Sequence, residues 1–561
     1  MRRSVVVVLA VLVTLGMLAP PSFAQAPAPK VTINGLVDFV TSAYKNWSQS
    51  GGAPGQSDVT DAREKGWYSR ERGVFTLTGE VGRVKGVWAI ELDFTNGAGN
   101  FNASSNSGSL TTVGKAASGT SANFDLDTDI QGAVETKWLY VETPVTGPGS
   151  LLPFIPVTTI ARMGGQPFRG HDYKFGILAS GDFPGVTLET TWTPNIRSTL
   201  TYVQIGEALD RGIALNQKDQ NAILASLEID VFKGLTIKPT YAYAFYDGGN
   251  CGTSNLGTAA WGGYNPNTNC PGTAVSVAGS DPLARGSVDV APGVGRNIRR
   301  HYFGGDVRWT MGPFSLQPTF IYLLGEQQVT RRGSTRYNDV DIRSFIFDTT
   351  AGFRTGPLNI ESRFMYTPGE DANHDPQNGG GGVIRRYDPI NPGFAYMNGW
   401  TEIWTGGVDY SSSLLVGRPG VVLRESPSYD KYGRIFVGLA ADYSLTPALT
   451  FRAITNVSWT DTKVDTKGTL GQGIVPSGIT TAGNPFKGGK EQYLGNEWVL
   501  GLTYRFAPNM SFDLAAAALI TGDALNIQHA GSDRGPCATD GVPTCQSRNV
   551  YKGSARFRVT F

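Results

Sequence analysis

Apolar and polar side chains alternate along many short segments of the chain. Within residues 496–506, one face is formed by Trp498, Leu500, Leu502, Tyr504 and Phe506. The positions between them include Glu497 and Arg505, and residues 301–311 and 449–459 repeat the pattern. Because successive side chains of a β-strand point to opposite faces, this period of two predicts strands with one apolar and one polar face.

Short and long connections between these segments follow one another in turn. Segments are joined by a few residues at 82–85 and 312–313, whereas 96–131, 248–297 and 369–431 are long and rich in Gly, Ser, Asn, Asp and Pro. This alternation is typical of membrane barrels with tight periplasmic turns and long extracellular loops. We therefore predict an all-β chain that forms a transmembrane antiparallel up-and-down β-barrel.

Counting with this alternation gives about eighteen strands. They lie near residues 31–44, 69–82, 85–96, 132–144, 156–168, 184–193, 197–206, 220–232, 235–246, 298–311, 314–325, 341–354, 357–367, 432–445, 448–461, 494–506, 509–520 and 548–561. A further candidate, 400–410, would move the short turn at 446–448 to the extracellular end, so we assign it to the seventh loop. Sixteen or twenty strands remain alternatives, because boundaries read from one sequence shift by a few residues.

The two faces favour a membrane barrel over a soluble β-sandwich. The polar face carries too many charges for a packed interior, but it suits a water-filled lumen. Aromatic residues recur near strand ends, as in interfacial girdles. Those on the turn side are Phe314, Phe451, Phe506, Phe512 and Phe561, and those toward the loops are Tyr44, Tyr322, Tyr366, Trp459 and Trp498.

The first 24 residues resemble an export signal. Arg2 and Arg3 precede an apolar stretch over residues 5–18, and small residues at Ser22 and Ala24 suit a signal peptidase. We predict a signal peptide at 1–24, a short periplasmic segment at 25–30 and the barrel at 31–561. Beyond residue 24 there is no run of about 18 apolar residues, which excludes a helical membrane protein.

Composition narrows the functional classes. Lys and Arg number 48 against 47 Asp and Glu, a net charge of +1, so the chain is not predicted to bind nucleic acid. Among the four histidines, His301 is expected to face lipid near the barrel rim. There is no G-x-S-x-G context for a Ser/His/Asp triad, and acidic pairs such as Glu91 and Asp93 follow from strand spacing alone. We predict that the protein is not an enzyme.

Four cysteines fall in predicted extracellular loops. Export to an oxidising compartment favours the disulfides Cys251–Cys270 and Cys537–Cys545, although three connectivities are possible in principle. An acidic run in the second predicted loop offers weak calcium-ligand candidates, which are Asp125, Asp127 and Asp129. This run lacks the glycine and the bidentate glutamate of a calcium loop, so a solvated acidic segment is the simpler interpretation. No other cofactor is expected.

The last strand, residues 551–561, alternates strictly and ends on Phe561. It resembles the C-terminal strand of Gram-negative outer-membrane porins. The resemblance implies an outer-membrane location, contact with membrane lipid and lipopolysaccharide, and recognition of Phe561 by the barrel-assembly machinery. It also implies a homotrimer. The solute does not follow from it.

The polar strand faces supply the candidate pore-lining residues. These are Arg72, Glu91, Asp93, Lys137, Arg162, Arg300, Asp306, Arg308, Arg363, Arg434, Arg452, Arg505, Arg556 and Arg558. The third loop, at the position that constricts many porins, carries His171, Asp172 and Lys174 and is expected to narrow the pore without sealing it. The long loop 369–431 is the candidate plug. Opposite charges are nearly balanced, so an anion preference is only a weak expectation.

The pattern therefore predicts a porin that passes small hydrophilic solutes or ions by passive diffusion. Three alternatives stay open. One is a substrate-selective channel for a sugar, an acidic metabolite or a polysaccharide. The others are the barrel sheath of a porin–cytochrome conduit and a plugged structural surface barrel.

Overall fold

A computed structural model gives the architecture of the chain. It describes residues 28–46, 65–97, 134–168, 170–174, 176–179, 182–206, 220–246, 295–330, 337–369, 383–387, 389–390, 397, 399–404, 407–409, 433–464, 491–525 and 549–561. Within these residues no helix is long and apolar enough to cross a membrane.

Nineteen strands are present in the described residues. They are β1 (Lys30–Lys45), β2 (Lys65–Val81), β3 (Val84–Gly97), β4 (Val134–Thr146), β5 (Thr158–Pro167), β6 (Asp182–Thr193), β7 (Ile196–Gly206), β8 (Gln220–Phe232), β9 (Leu235–Tyr246), β10 (Gly295–Met311), β11 (Phe314–Thr330), β12 (Tyr337–Thr355), β13 (Leu358–Thr367), β14 (Val383–Ile384), β15 (Arg434–Ser444), β16 (Leu449–Val464), β17 (Glu491–Ala507), β18 (Met510–Thr521) and β19 (Val550–Thr560). One 3₁₀ turn follows β18 at Asp523–Leu525.

Eighteen of these strands form a closed antiparallel barrel. Each pairs with its neighbour in the chain, β13 pairs with β15 across the short β14, and β1 pairs with β19 to close the wall. The two residues of β14 pair in parallel with the end of β12 that extends beyond β13. The predicted barrel and its strand number are confirmed. The described residues of 400–410 lie inside the barrel rather than in its wall.

The two ends of the barrel differ in their connections. We call the end that carries the short hairpins the turn end. In these hairpins Gly312 and Gly356 take the positive φ angles that tight turns require. The connection between β4 and β5 is longer and folds on itself through a Leu152 N–H to Val145 O hydrogen bond of 2.8 Å. Both chain ends of the barrel, at Lys30 and Phe561, lie here. We call the opposite end of the barrel the loop end.

Alternate side chains of each wall strand point out of the barrel and into it, as the sequence predicts. Large apolar side chains such as Val31, Trp88 and Leu500 are exposed on the outside, whereas Asp38 and Glu497 are buried on the inside. His301 faces outward, as expected. Tyr44 is an exception to the predicted aromatic girdle: it has the same parity as Asp38 and packs against the internal core.

Part of the barrel interior is a packed apolar core, which differs from the expectation of a uniformly wet lumen. Wall residues such as Leu224, Leu323 and Ile346 pack with buried residues from the connections after β5 and β13. These connections add apolar side chains, such as Ile177, Leu178 and Tyr387, to those of the wall. Two loops therefore enter the barrel.

Candidate channel lumen

Loop three, the connection between β5 and β6, runs along the inner wall. His171 Nε2 lies 2.8 Å from Thr201 Oγ1 on β7, and the His171 carbonyl accepts a 3.0 Å hydrogen bond from Thr240 on β9. The Tyr173 N–H donates to Asp306 on β10 at 3.2 Å. The loop thus crosses successive strands at mid-height.

Lys174 is the last residue of this stretch, and it contacts β11 and β12. Its ammonium donates to the carbonyl oxygens of Gln317 and Asp348, each at 2.7 Å, and lies 2.8 Å from Asp348 Oδ1. Arg363 on β13 donates to the same carboxylate through two nitrogens, at 2.7 and 3.1 Å. Since Asp348 is fully buried, this shared carboxylate fixes loop three to the wall.

Burial also sets the charge of two loop-three groups. Desolvation lowers the pKa of His171 to about 3, helped by the Lys238 ammonium, so this ring stays neutral. Burial, together with the Asp306 carboxylate, raises the pKa of Asp172 to about 8. The Asp172 side chain accepts the Leu178 N–H at 3.3 Å and so holds the loop in its turn.

Loop seven, the connection between β13 and β15, is anchored by a carboxylate of the nearby strand β17. Glu497 Oε1 on β17 accepts the backbone N–H groups of Glu402 and Ile403, each at 2.7 Å. The Lys552 ammonium on β19 donates to the Glu402 backbone carbonyl at 2.9 Å and lies 3.3 Å from the Glu402 carboxylate. All three ionisable side chains are buried, so the anchor excludes water.

Further contacts carry loop seven around the lumen. Asn456 on β16 donates to the Trp400 carbonyl at 2.9 Å, and the Arg363 guanidinium lies 5.9 Å from the Trp400 ring. Asp409 accepts a 2.8 Å hydrogen bond from Ser42 on β1. Loop seven therefore follows the wall from β13 through β19 to β1.

The two loops meet inside the barrel. Tyr387 OH donates to the Ile177 carbonyl at 2.7 Å, and the Ile390 N–H donates to the Leu178 carbonyl at 2.8 Å. The buried loop residues around these bonds are Ala179, Met397, Trp400, Ile403 and Trp404. In the part of the chain that the structure describes, the joined loops line the wall from β7 round to β1.

The inner wall from β2 to β6 carries charges that these loop segments do not touch in the described residues. Glu91 forms ion pairs with Arg72, at 2.6 Å, and with Lys137. Arg162 lies 3.2 Å from Glu142 and 3.6 Å from Glu189. The side chains of Arg72 and Lys137 are each 23% exposed and that of Glu189 is 46% exposed, so water reaches these groups, whereas Glu91 is buried between its two cations.

Charged pairs also line the turn end. Arg452 lies 3.5 Å from Asp442, Arg556 lies 3.0 Å from Asp513, and Arg558 pairs with Asp38. The Arg308 guanidinium stacks 3.5 Å from the centre of the Tyr173 ring. Arg505 is exposed, and it belongs to the alternate residues of β17 that face into the barrel.

The remaining predicted residues have different positions. Arg300 and Arg434 are buried inward-facing residues near the loop end. The Asp93 backbone lies in β3, but its side chain is outside the described residues. The cysteines Cys251, Cys270, Cys537 and Cys545 and the acidic residues Asp125, Asp127 and Asp129 also lie outside them.

Sequence reasoning missed several wall carboxylates. Asp38, Glu142 and Asp348 belong to the inward-facing set and hold Arg558, Arg162 and Lys174 respectively. Strand parity was a usable signal for Asp38, which lies between the outward-facing Val37 and Phe39. The apolar residues of loop seven were a second signal, because Tyr387, Ile390 and their neighbours are unusual in an exposed loop.

Solved outer-membrane barrels share this outline. No protein-family model and no curated protein matches the sequence. The outer membrane protein OprD from Pseudomonas aeruginosa is 11% identical, with a TM-score of 0.42 over 96% of each chain. OccK8 (OprE) from the same organism is 10% identical, with a TM-score of 0.43 over 95% of this chain and 98% of its own.

OccAB4 from Acinetobacter baumannii is 9% identical, with a TM-score of 0.42 over 96% of this chain and 99% of its own. At such identities, substrate and assembly follow only from the geometry of this chain. Its closed strand pairing, its apolar exterior and its charged interior make it a porin-like transmembrane β-barrel.

Proposed function

We propose that the protein is an outer-membrane channel through which small hydrophilic solutes and ions diffuse passively. The observation that carries the proposal is the water-exposed charged wall of β2–β6 beside a barrel interior otherwise lined by two loops. An eighteen-strand barrel encloses an aqueous lumen unless loops fill it. Loops three and seven narrow this lumen and direct solutes along the charged wall.

The outside of the barrel supports the location in a Gram-negative outer membrane. Its apolar side chains suit hydrocarbon, and a closed wall leaves no unpaired strand edge. At the turn end, Phe561 closes the seam between the first and last strands. Its backbone N–H and carbonyl exchange hydrogen bonds with Gly35 at 3.0 and 2.7 Å, and its ring lies 6.0 Å from Phe75.

This position of Phe561 suits recognition by the barrel-assembly machinery, which we propose together with contacts to lipid and lipopolysaccharide. We place the short turns in the periplasm and the long loops outside, as in bacterial barrels generally. A homotrimer remains our expectation from the resemblance to porins.

A substrate-selective channel is the second candidate, and the internal loops favour it. A lumen that loops three and seven narrow brings the exposed charges of Arg72, Lys137 and Glu189 close to any passing solute. A selective channel would show conductance block that saturates with one class of solute. A diffusion channel would show conductance that rises in proportion to salt for all small ions.

Single-channel recording of the refolded protein in a planar bilayer tests the proposal. We expect stable conductance steps, with a reversal potential in asymmetric salt that reports ion preference. Silence from a folded, heat-modifiable barrel would contradict the channel and favour a plugged structural barrel. Multihaem proteins that copurify with the barrel would instead favour the sheath of an electron conduit.

A further inference from the structure

A β-bulge in β4 points two neighbouring side chains into the barrel. Trp138 and Thr136 pair with consecutive residues of β3, so Lys137 between them has no paired position of its own in that strand. In a regular strand Lys137 would face the membrane, because neighbouring side chains alternate and Trp138 faces inward. The Lys137 ammonium instead forms an ion pair with Glu91 inside the barrel. Bulges often re-aim a side chain in this way beside a functional site.

Two aromatic side chains of β4 face the lumen beside Lys137. Trp138 and Tyr140 belong to the inward-facing alternate residues of β4, whereas Leu139 and Val141 are exposed on the outside. The two aromatic residues are about 7 Å apart along the strand, and both side chains are partly exposed. Rings in this position offer an apolar surface to a solute in the lumen.

Charged groups lie close to both rings. Trp138 Nε1 donates to Asp182 Oδ1 at 2.6 Å. The Lys137 ammonium lies 3.4 Å from the Asp182 carboxylate and 5.9 Å from the centre of the Trp138 ring. The Arg162 guanidinium lies 5.4 Å from the centre of the Tyr140 ring. Each ring therefore has a cation beside it, and each cation has a carboxylate partner.

The charges around these rings balance, which argues against selection of an anion or a cation. Four carboxylates each lie within 3.6 Å of a cation, and they are Glu91, Glu142, Asp182 and Glu189. Four cations contact them, and they are Arg72, Lys85, Lys137 and Arg162. A hydroxyl group both donates and accepts hydrogen bonds. A neutral molecule with many hydroxyl groups therefore suits these closely spaced donors and acceptors.

We propose that the inner wall of β4 binds neutral sugars on their way through the channel. The apolar C–H face of a sugar ring packs against Trp138 or Tyr140, and the sugar hydroxyl groups take the place of water around the flanking charges. An oligosaccharide that lies along β4 contacts the two aromatic rings in turn. This site rests on the proposed function, because a sugar must enter the lumen to reach it, and it names a substrate class for that function.

Titration calorimetry on the purified full-length protein in detergent tests the site, with maltotriose as the neutral probe and trigalacturonate as the charged one. We expect saturable binding of maltotriose, tighter than that of trigalacturonate. Trp138→Leu with Tyr140→Leu should weaken maltotriose binding about tenfold, because two ring surfaces are lost. Absence of saturable maltotriose binding to the unmodified protein would overturn the site.

The matched control is Trp192→Leu with Tyr202→Leu. It removes one tryptophan and one tyrosine that are exposed on the outside of β6 and β7, so maltotriose should bind as it does to the unmodified protein. Equal binding of maltotriose by the inner and the outer variant would overturn the site.

A conservative variant separates packing on the rings from damage to the wall. Trp138→Phe with Tyr140→Phe keeps two ring surfaces and removes Nε1 and the phenol hydroxyl. Maltotriose should bind to it within about threefold of the unmodified protein, because the apolar contact remains. A loss as large as that of the leucine variant would overturn packing of the sugar on the rings.

Asp182→Asn with Glu189→Gln tests the balance of charge. The amides still form hydrogen bonds, but the four cations then face two carboxylates, Glu91 and Glu142. Trigalacturonate should therefore bind several-fold more tightly relative to maltotriose than it does to the unmodified protein. An unchanged ratio of the two affinities would overturn selection by balanced charge.

Single-channel recording of the unmodified protein separates this site from the proposed function. In a conducting barrel, maltotriose should reduce the current to a saturating level. A conducting barrel that trigalacturonate blocks and maltotriose does not would contradict the sugar site alone. A silent barrel that still binds maltotriose in detergent would contradict the channel and leave the site in place.

Discussion

The inner wall of β12–β19 and the inner wall of β2–β6 carry similar charged side chains in different surroundings. On the first wall, Asp348 and Glu497 are fully buried beneath loops three and seven. On the second, Arg72 and Lys137 are 23% exposed and Glu189 is 46% exposed. In the described residues, loops three and seven cover the first wall, whereas the buried Glu91 of the second wall is enclosed by its own ion pairs with Arg72 and Lys137.

The difference teaches which charges hold the structure and which can meet a solute. A buried charge that loses its partner is strongly destabilising, because neither water nor another group replaces the lost interaction. An exposed pair contributes about 0–1 kcal/mol, because water competes with it. The covered wall is therefore an anchor for the loops, and the wall that loops three and seven leave uncovered is the one that we propose meets ions.

Removing the loop from the covered wall should give the largest effect. Replacing residues 383–409 with a short Gly-Ser linker takes away Tyr387, Trp400 and the partners of Glu497. We expect single-channel conductance to rise at least twofold and ion selectivity to fall, because the covered wall then becomes wet. Thermal unfolding in detergent should confirm a barrel of lower stability.

Unchanged conductance of a folded deletion variant would show that loop seven does not narrow the path. In that case the two walls would not differ in access to ions. Heat-modifiable migration on a gel is the control for folding.

Removing one carboxylate from each wall should lower the free energy of unfolding by different amounts. Glu497→Ala leaves the buried N–H groups of Glu402 and Ile403 without their acceptor, which should cost roughly 2–5 kcal/mol. Glu189→Ala removes only an exposed partner of Arg162 and should cost about 0–1 kcal/mol. Urea unfolding of both variants in the same detergent measures the two values. Equal losses would contradict the distinction.

A pH change should act on the packing of loop three through Asp172. The pKa of this carboxyl is about 8 in the packed loop against an ordinary 3.8, so packing favours the protonated form. As pH rises from about 4 to about 8, deprotonation progressively weakens the packed loop relative to a released one. We expect conductance to rise several-fold between pH 5 and pH 8.5.

Asp172→Asn should remove most of this pH dependence, since the amide keeps the shape but does not titrate. Two charged neighbours, Asp306 and Lys238, are present in both proteins. His171, with its pKa near 3, does not titrate in this range. The same pH response in the variant would assign it to another group.

The sequence predicts the strands of the barrel wall better than it predicts the loops that lie inside the barrel. Strand periodicity and turn residues are local, so all eighteen barrel strands were predicted to within a few residues, apart from the longer loop ends of β2, β11 and β12. Residues 400–410 alternate like a strand, and only the connection lengths showed that they belong to a loop.

The loop anchors depend on contacts between residues far apart in the chain. Glu497 holds Glu402, and Asp348 holds Lys174, across 95 and 174 positions. No local pattern specifies such partners. Loop three was expected to narrow the pore, but its connection to Asp348 and to loop seven follows only from the closed wall that places them together.

The smallest effect is expected on the uncovered wall. Lys137→Gln removes one cation beside Glu91, which keeps Arg72 as its partner. The reversal potential in asymmetric salt should shift by a few millivolts toward cation preference, because the wall then carries one exposed cation fewer. Stability should fall only modestly, because the buried Glu91 keeps Arg72 as its partner.

The control is Lys233→Gln in the hairpin between β8 and β9, which removes the same charge from an exposed turn. If both substitutions shift the reversal potential equally, ions respond to the net charge of the barrel and not to this wall. A shift confined to Lys137→Gln would place the ion path beside Glu91. It would also show that the wall left uncovered by the described parts of loops three and seven is the functional one.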